Sequence, residues 1–317
     1  MLVSALAIGC GSSAGELPAA VRDWVLVTGA SDKLYQCEFA TGREFRRVLE
    51  SLVAELSTVY RDMDDWSVSP DGSQLSFTGK RHDALGTDHL CVVPTAGPAA
   101  AVRELFPYRG PSDALAWSPD SRRVAFDYYE PVPRDDGTLT RRFGLRVVDV
   151  DGENGVTFWN TIDRVRGVLG FSPDAKRILF VRRQPRGEVI ALDIGDGTQE
   201  QLHLPGLGLG APSRIAWLPE GRLAYDGLPR GAVAVARFGD LEPEYVIKHD
   251  EDGWTYACSP DGAWIVVKAK RPNVVPSPRA EYFLFGRDGS KVKLELDSDN
   301  YRDFTWLPRP GLAREPK

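Results

Sequence analysis

Short apolar runs, each bounded by polar turn residues, recur along the whole chain. Gln74–Thr78, Arg123–Phe126, Arg177–Val181, Arg222–Tyr225 and Ala263–Val267 mix apolar, β-branched and aromatic residues with isolated polar ones. That pattern predicts strands packed face to face with neighbouring layers. A second set of runs follows them, Leu145–Gly152, Val189–Ile194 and Tyr282–Gly289, and then shorter ones such as Lys291–Glu295. No long amphipathic helix competes with the strands, so the chain reads as all-β.

A related segment stands before each of the first runs. The copies are Trp66–Gly72, Ala116–Ser121, Gly170–Ala175, Ala216–Gly221, Ala257–Gly262 and Thr305–Pro310. Marked by Asp71, Asp120, Asp174, Glu220, Asp261 and Arg309, they recur every 41 to 54 residues. Periods in the forties match one four-stranded propeller blade. In the fullest copy, Ser69-Pro70-Asp71-Gly72, Pro fixes φ for the first central position of a tight turn. Asp suits the second position, and Gly accepts the left-handed one that closes a hairpin. Ser121 and Ala175 stand where two copies lack that Gly, and the last copy reads Pro308-Arg309-Pro310-Gly311.

These turns resemble the TolB-like, or WSPDG, β-propeller repeat family, over roughly residues 23–311. Trp24–Thr28, Leu34–Phe39 and Arg46–Leu49 read as strands two to four of a blade that lacks its first strand. Phe304–Pro308 reads as a first strand with nothing after it. Joined, they complete a six-bladed β-propeller closed by the C-terminal strand, with 1–22 a leader and tether and 312–317 a tail. A length of 317 residues gives a prior of two domains, but one ring of six blades accounts for it. The resemblance implies protein–protein interaction as the usual role. TolB itself carries an additional N-terminal α/β domain and a partner-binding N-terminal segment. This chain's first predicted strand starts near residue 23, so a direct role in a Tol–Pal complex is not expected.

Composition narrows the partners. The formal charge of −6 disfavours nucleic acid. The absence of an 18-residue apolar run predicts no transmembrane helix. Leu6-Ala7-Ile8-Gly9-Cys10, followed by small residues, resembles a bacterial lipoprotein signal, whose Cys is acylated. Other secretory leaders, or a terminus with a chance Cys, are the alternatives. The expectation is an exported, periplasmic or cell-surface monomer, held to the membrane through Cys10 alone. Cys37, Cys91 and Cys258 fall in predicted strands and read as buried apolar residues, a Cys37–Cys91 bridge being the lesser option. Trp66, Trp117, Trp217 and Trp306 recur at or just before the turn motif, which predicts packing between blades.

Function should lie on the long loops, predicted at 79–88, 129–142 and 269–281 within blades and at 50–63 and 159–166 between them. All emerge on the face opposite the tight turns. Basic residues prevail in the within-blade loops and acidic ones between blades. The candidate binding residues are Arg81, His82, Arg134, Arg141, Arg142, Trp159, Arg183, Trp254, Lys270 and Arg271, facing an envelope protein or an anionic surface ligand. The other reading of this charge is a solvated, mixed surface. His82, His89, His203 and His249 lack ligand spacing, so no metal or other cofactor is expected. No Gly-x-Ser-x-Gly elbow appears, and Gly206–Gly210 bridges two blades instead of opening a helix. The chain is therefore read as a non-enzymatic binding module. The alternative is a small propeller enzyme, a metal-dependent lyase or lactonase acting on sugar acids at the central channel.

Overall fold

The computed structural model describes residues 24–30, 33–38, 44–48, 50–83, 88–96, 98–108, 115–152, 154–159, 165–182, 188–204, 215–226, 232–240, 242–249, 253–269, 281–294 and 302–308. They form six four-stranded antiparallel sheets. Sheet 1 joins the two ends of the chain: Arg302–Pro308 pairs with Trp24–Ala30, followed by Lys33–Glu38 and Glu44–Val48. Sheet 2 holds Tyr60–Val68, Gln74–Arg81, Asp88–Pro94 and Arg103–Tyr108. Sheet 3 holds Leu115–Trp117, Arg123–Pro133, Leu139–Asp149 and Gly155–Trp159. Sheet 4 holds Val165–Phe171, Arg177–Arg182, Glu188–Asp193 and Gln199–Leu202. Sheet 5 holds Ile215–Leu218, Arg222–Tyr225, Ala232–Arg237 and Tyr245–Lys248, and sheet 6 holds Gly253–Cys258, Trp264–Ala269, Glu281–Gly286 and Lys291–Leu294.

First strands of most neighbouring sheets lie side by side. Arg302–Pro308 neighbours Tyr60–Val68, which neighbours Leu115–Trp117, then Val165–Phe171, then Ile215–Leu218. At the far end of the order, Gly253–Cys258 neighbours Arg302–Pro308 again. Apolar clusters fill the seams between sheets: Leu90 and Val92 of sheet 2 meet Trp117, Phe126 and Val148 of sheet 3. Trp264, Val266 and Leu284 of sheet 6 meet Trp24, Leu26 and Trp306 of sheet 1. Trp66 joins the cluster between sheets 1 and 2, and Trp217 borders that between sheets 4 and 5. The Trp117 indole N–H donates across its seam to Ser76 Oγ at 3.0 Å.

The repeated turn owes its rigidity to its serine as much as to its proline. Ser69 is fully buried; its hydroxyl donates to Asp71 Oδ1 at 2.6 Å and accepts from the Gln74 N–H at 2.9 Å. The same pair of bonds recurs at Ser118, Ser172 and Ser259. Gly72 and Gly262 take φ of 76° and 74°, and Ser121 and Ala175 adopt the same region at 59° and 57°. Ser121 gains a compensating contact, accepting the Asp71 N–H of sheet 2 on its Oγ at 3.2 Å. Sheet 5 departs from this pattern. Leu218 replaces the serine, and the loop to Arg222 is one residue shorter than the loop from Ser69 to Gln74. Both Glu220 and Gly221 then have positive φ, 63° and 70°.

Three predicted loops are corrected. Residues 50–63 contain a helix, α1 (Glu50–Leu56), and the start of a strand. Leu52, Val53 and Leu56 of α1 are buried against Val25, Tyr60, Phe77 and Cys91, so the helix wedges between sheets 1 and 2. Its single apolar turn is too short to register as a helical period in the sequence. Residues 79–81 extend a strand. Residues 129–142 are mostly a β-hairpin, with register from Tyr129↔Phe143 to Pro133↔Leu139. Cys91 and Cys258 are free thiols, and the backbone around Cys37 is strand while its side chain lies outside the described residues. Burial pushes the Cys91 thiol up to about 12.

Candidate functional site on the loop face

The candidate binding residues of the loop face that the structure describes fall into two groups. The first sits at the end of sheet 2. Arg81 closes its strand and grips Asp83 through two nitrogens, at 2.8 and 2.9 Å, while a third reaches Glu104 at 3.1 Å. Glu104 also accepts the Tyr60 hydroxyl at 2.6 Å, and His89 Nδ1 lies 3.3 Å away. Burial pushes the Glu104 carboxyl up, but the Tyr60 and Arg81 hydrogen bonds outweigh it and hold it below the usual carboxylate range. Burial, aided by Glu104, pushes the Tyr60 hydroxyl well above its ordinary value. His82 is anchored by its backbone N–H to the Val59 carbonyl at 3.0 Å, with its Nε2 3.2 Å from the Ser57 carbonyl. Lys80 lies 3.3 Å from Asp62 and 3.7 Å from Asp88. This end of the sheet is a neutralised network that ties α1's exit to sheet 2.

The second group is the sheet 3 hairpin. Its two central strands are eleven residues each, against four to eight in the same positions of the other sheets. The excess of several residues, at about 3.3 Å each, carries the tip well past the neighbouring strand ends. The tip turn is built like the repeat turn: Gly137 has φ 77°, Asp136 accepts the Thr138 N–H and hydroxyl, and the Arg134 N–H donates to the Thr138 carbonyl at 2.7 Å. One face of the hairpin carries Tyr129, Pro131, Pro133, Leu139, Arg141 and Phe143. Leu139 is 69% exposed, and the Arg141 guanidinium lies 4.4 Å from the Tyr129 ring centre. On the other face Arg142 pairs with Glu130. Arg134 donates to Thr140 Oγ1 at 3.1 Å.

Sequence reasoning missed Glu104, Tyr60, Tyr129, Leu139 and Phe143. For the hairpin the available signal was Asp135-Asp136-Gly137, the same turn chemistry as the repeat; Pro131 and Pro133 hid it. Trp159 ends the fourth strand of sheet 3 and Trp254 lies in the first strand of sheet 6, with both side chains outside the described residues. Cys10, Arg183, Lys270 and Arg271 lie outside the described residues altogether. Among the described residues, His203 is exposed beyond its strand, the His249 ring lies 5.6 Å from that of Phe285, and no group of three His, Cys, Asp or Glu side chains converges as a metal site would require.

No family model matches the chain, and no curated protein does. Solved structures do match. TolB from Acinetobacter baumannii superposes with a TM-score of 0.64 at 15% identity, covering 92% of this chain and 68% of that one. A chain of the nidogen/laminin complex gives 0.60 at 11% identity, covering 89% and 98%. A puromycin-hydrolyzing peptidase of Mycobacterium tuberculosis gives 0.54 at 16% identity, covering 86% of this chain and 43% of that one. The fold is a β-propeller. At these identities the likeness concerns the propeller fold alone, and propellers of very different activities share it.

Proposed function

We propose that this propeller is an exported, lipid-anchored ring of six WSPDG-type blades, latched by its C-terminal strand, that serves as a binding module for a protein or surface ligand at the cell envelope. Its working surface is the long-loop face. The sheet 3 hairpin is the observation that carries this reading. It is the longest described hairpin, and it holds an apolar, aromatic face with Leu139 open to solvent at its end. Among the described residues the other exposed large apolar side chains, Val59 at 39% and Val156 at 48%, are less open than Leu139, and an apolar tip on a rigid ring is the form of a recognition element. The paired network at Arg81 is better suited to bracing the face than to gripping an anion, because each cation already has an acidic neighbour.

Two measurements test the proposal. Cells producing the full chain should hold it in the membrane fraction, and Cys10→Ser should release it; a wild-type protein found in the cytosol overturns export. Affinity capture from envelope fractions should recover a partner with the wild type and lose it when residues 131–141 are replaced by Asn-Gly. That replacement keeps the hydrogen-bonded Glu130–Arg142 pair as the base of a two-residue turn. Equal capture by both proteins removes the hairpin from the function. Stoichiometric divalent metal in the purified protein would favour the lyase or lactonase reading instead.

A further inference from the structure

The two edges of the sheet 3 hairpin are unequal. In an antiparallel ladder, alternate residues point their main-chain groups at the partner strand and the rest point outward. Two main-chain bonds fix which is which. The Ser118 N–H donates to the Arg123 carbonyl on the first-strand side, and the Asp149 N–H donates to the Asn154 carbonyl on the fourth-strand side. Counting by twos, Tyr129, Pro131 and Pro133 point outward on the first-strand side. Phe143, Arg141 and Leu139 point outward on the fourth-strand side. The two prolines have no N–H, so the first edge is closed to strand pairing. The second edge keeps three N–H and three C=O groups. Among the described residues the fourth strand pairs as far as Gly144↔Trp159, and none pairs with Leu139–Phe143 on that side.

We propose that the Leu139–Phe143 edge accepts an extended segment of another protein as an added strand, with an acidic residue opposite Arg141 and apolar residues two positions to either side. This rests on the reading of the loop face as the binding surface. The side chains set the pattern. Leu139 and Phe143 are apolar and flank Arg141, whose stacking on Tyr129 holds a cation at the middle of the edge. The neighbouring Arg142 is engaged by Glu130 on the opposite face. A second copy of this chain fits poorly, because two-fold pairing of the two edges about their centre sets Arg141 against Arg141, and like charges directly opposite destabilise a ladder. Main-chain bonds would supply affinity and the alternate side chains specificity.

The test uses the full chain and a fluorescent peptide, Thr-Ile-Thr-Glu-Thr-Val-Thr, beside its Glu-to-Lys counterpart. The Glu peptide should bind at least about tenfold tighter, with Arg141→Glu reversing the preference. Leu139→Pro removes an outward N–H without losing a bond to Pro133, so it should abolish binding while the far-ultraviolet circular dichroism and Tm stay unchanged. Equal binding of the two peptides, no binding of either at millimolar concentration, or binding untouched by Leu139→Pro overturns the proposal. A dimer seen by sedimentation and lost in Leu139→Pro also overturns it, assigning the edge to a second copy. If excision of 131–141 abolishes envelope capture but Leu139→Pro does not, the hairpin still binds and only the added strand is wrong; if neither matters, the functional reading fails.

Discussion

The tight-turn face and the sheet 3 hairpin use one turn chemistry for opposite purposes. On the turn face, Ser69, Ser118, Ser172 and Ser259 repeat the same two bonds, and the turns touch the next sheet: Arg123 donates to the Ala175 carbonyl at 2.8 Å and Tyr245 to the Gly262 carbonyl at 2.9 Å. At Gly137 the same kind of turn stands in the open, with nothing within 4 Å of where a Cβ would be. The clamp turns lean on the neighbouring sheets; the Gly137 turn stands clear of them. Equivalent substitutions on the two sides should therefore differ in size.

The largest difference is expected between Gly262→Ala and Gly137→Ala. Both residues have φ near 75°, so each substitution carries a left-handed penalty of about 1–2 kcal/mol. At Gly262 the new methyl would also lie 2.6 Å from Tyr245 Oη and 2.8 Å from Leu218 Cδ1. Overpacking of that kind adds about 1–3 kcal/mol. Chemical denaturation should show Gly262→Ala losing more than twice as much stability as Gly137→Ala. Comparable losses would mean that the turns do not brace the seams.

Removing a clamp serine comes next. Ser172→Ala leaves the Arg177 N–H and the Asp174 carboxylate without their buried partner, at a cost of about 1–3 kcal/mol. Excising 131–141 should move Tm far less, since that segment adds little to the packed seams. The serine also gives the turns a pH signature. The Ser172 hydroxyl holds the Asp174 carboxyl below the usual carboxylate range. A depressed folded pKa contributes stability above the unfolded value of about 3.9, and that contribution is lost as pH falls through the folded one. Ser172→Ala should therefore shrink its deficit relative to wild type as pH is lowered from about 5 to 2; a constant deficit would mean the Ser172–Asp174 bond contributes nothing.

The repeat was readable because its chemistry is local. Pro, Asp and Gly each impose a backbone state on their own position, so a turn announces itself within four residues, and with it the strand after it. The seam role of Trp117 was equally visible, because repetition marks packing. What the sequence concealed depends on partners distant along the chain. Glu104 matters through Tyr60, 44 residues away, and Arg81, 23 residues away. The hairpin was read as a loop because prolines break a strand pattern, although on an outward-pointing edge position a proline costs no ladder bond. Arg81 and Arg142 were read as candidate binding residues because charge counts along a chain do not register pairing across strands.

The smallest expected effect tests whether sheet 5 is a weakened copy of the repeat. Its turn has no serine, and the lost residue forces Glu220 into the left-handed region that Gly72 and Gly262 occupy elsewhere. Glu220 is exposed, so its side chain has no packing to lose. Glu220→Gly relieves a penalty of about 1–2 kcal/mol and adds about 0.5–1 kcal/mol of backbone entropy cost. A net gain of about 0.5 kcal/mol, near a 1–2 °C rise in Tm for a domain of this size, is the expected outcome. The contrasting Ser121→Gly removes the same kind of strain but also the bond from the Asp71 N–H, and should not stabilise. If both variants gain equally, the Ser121 contact across the seam contributes nothing, and the turn face is held by each turn alone rather than by turns leaning on their neighbours.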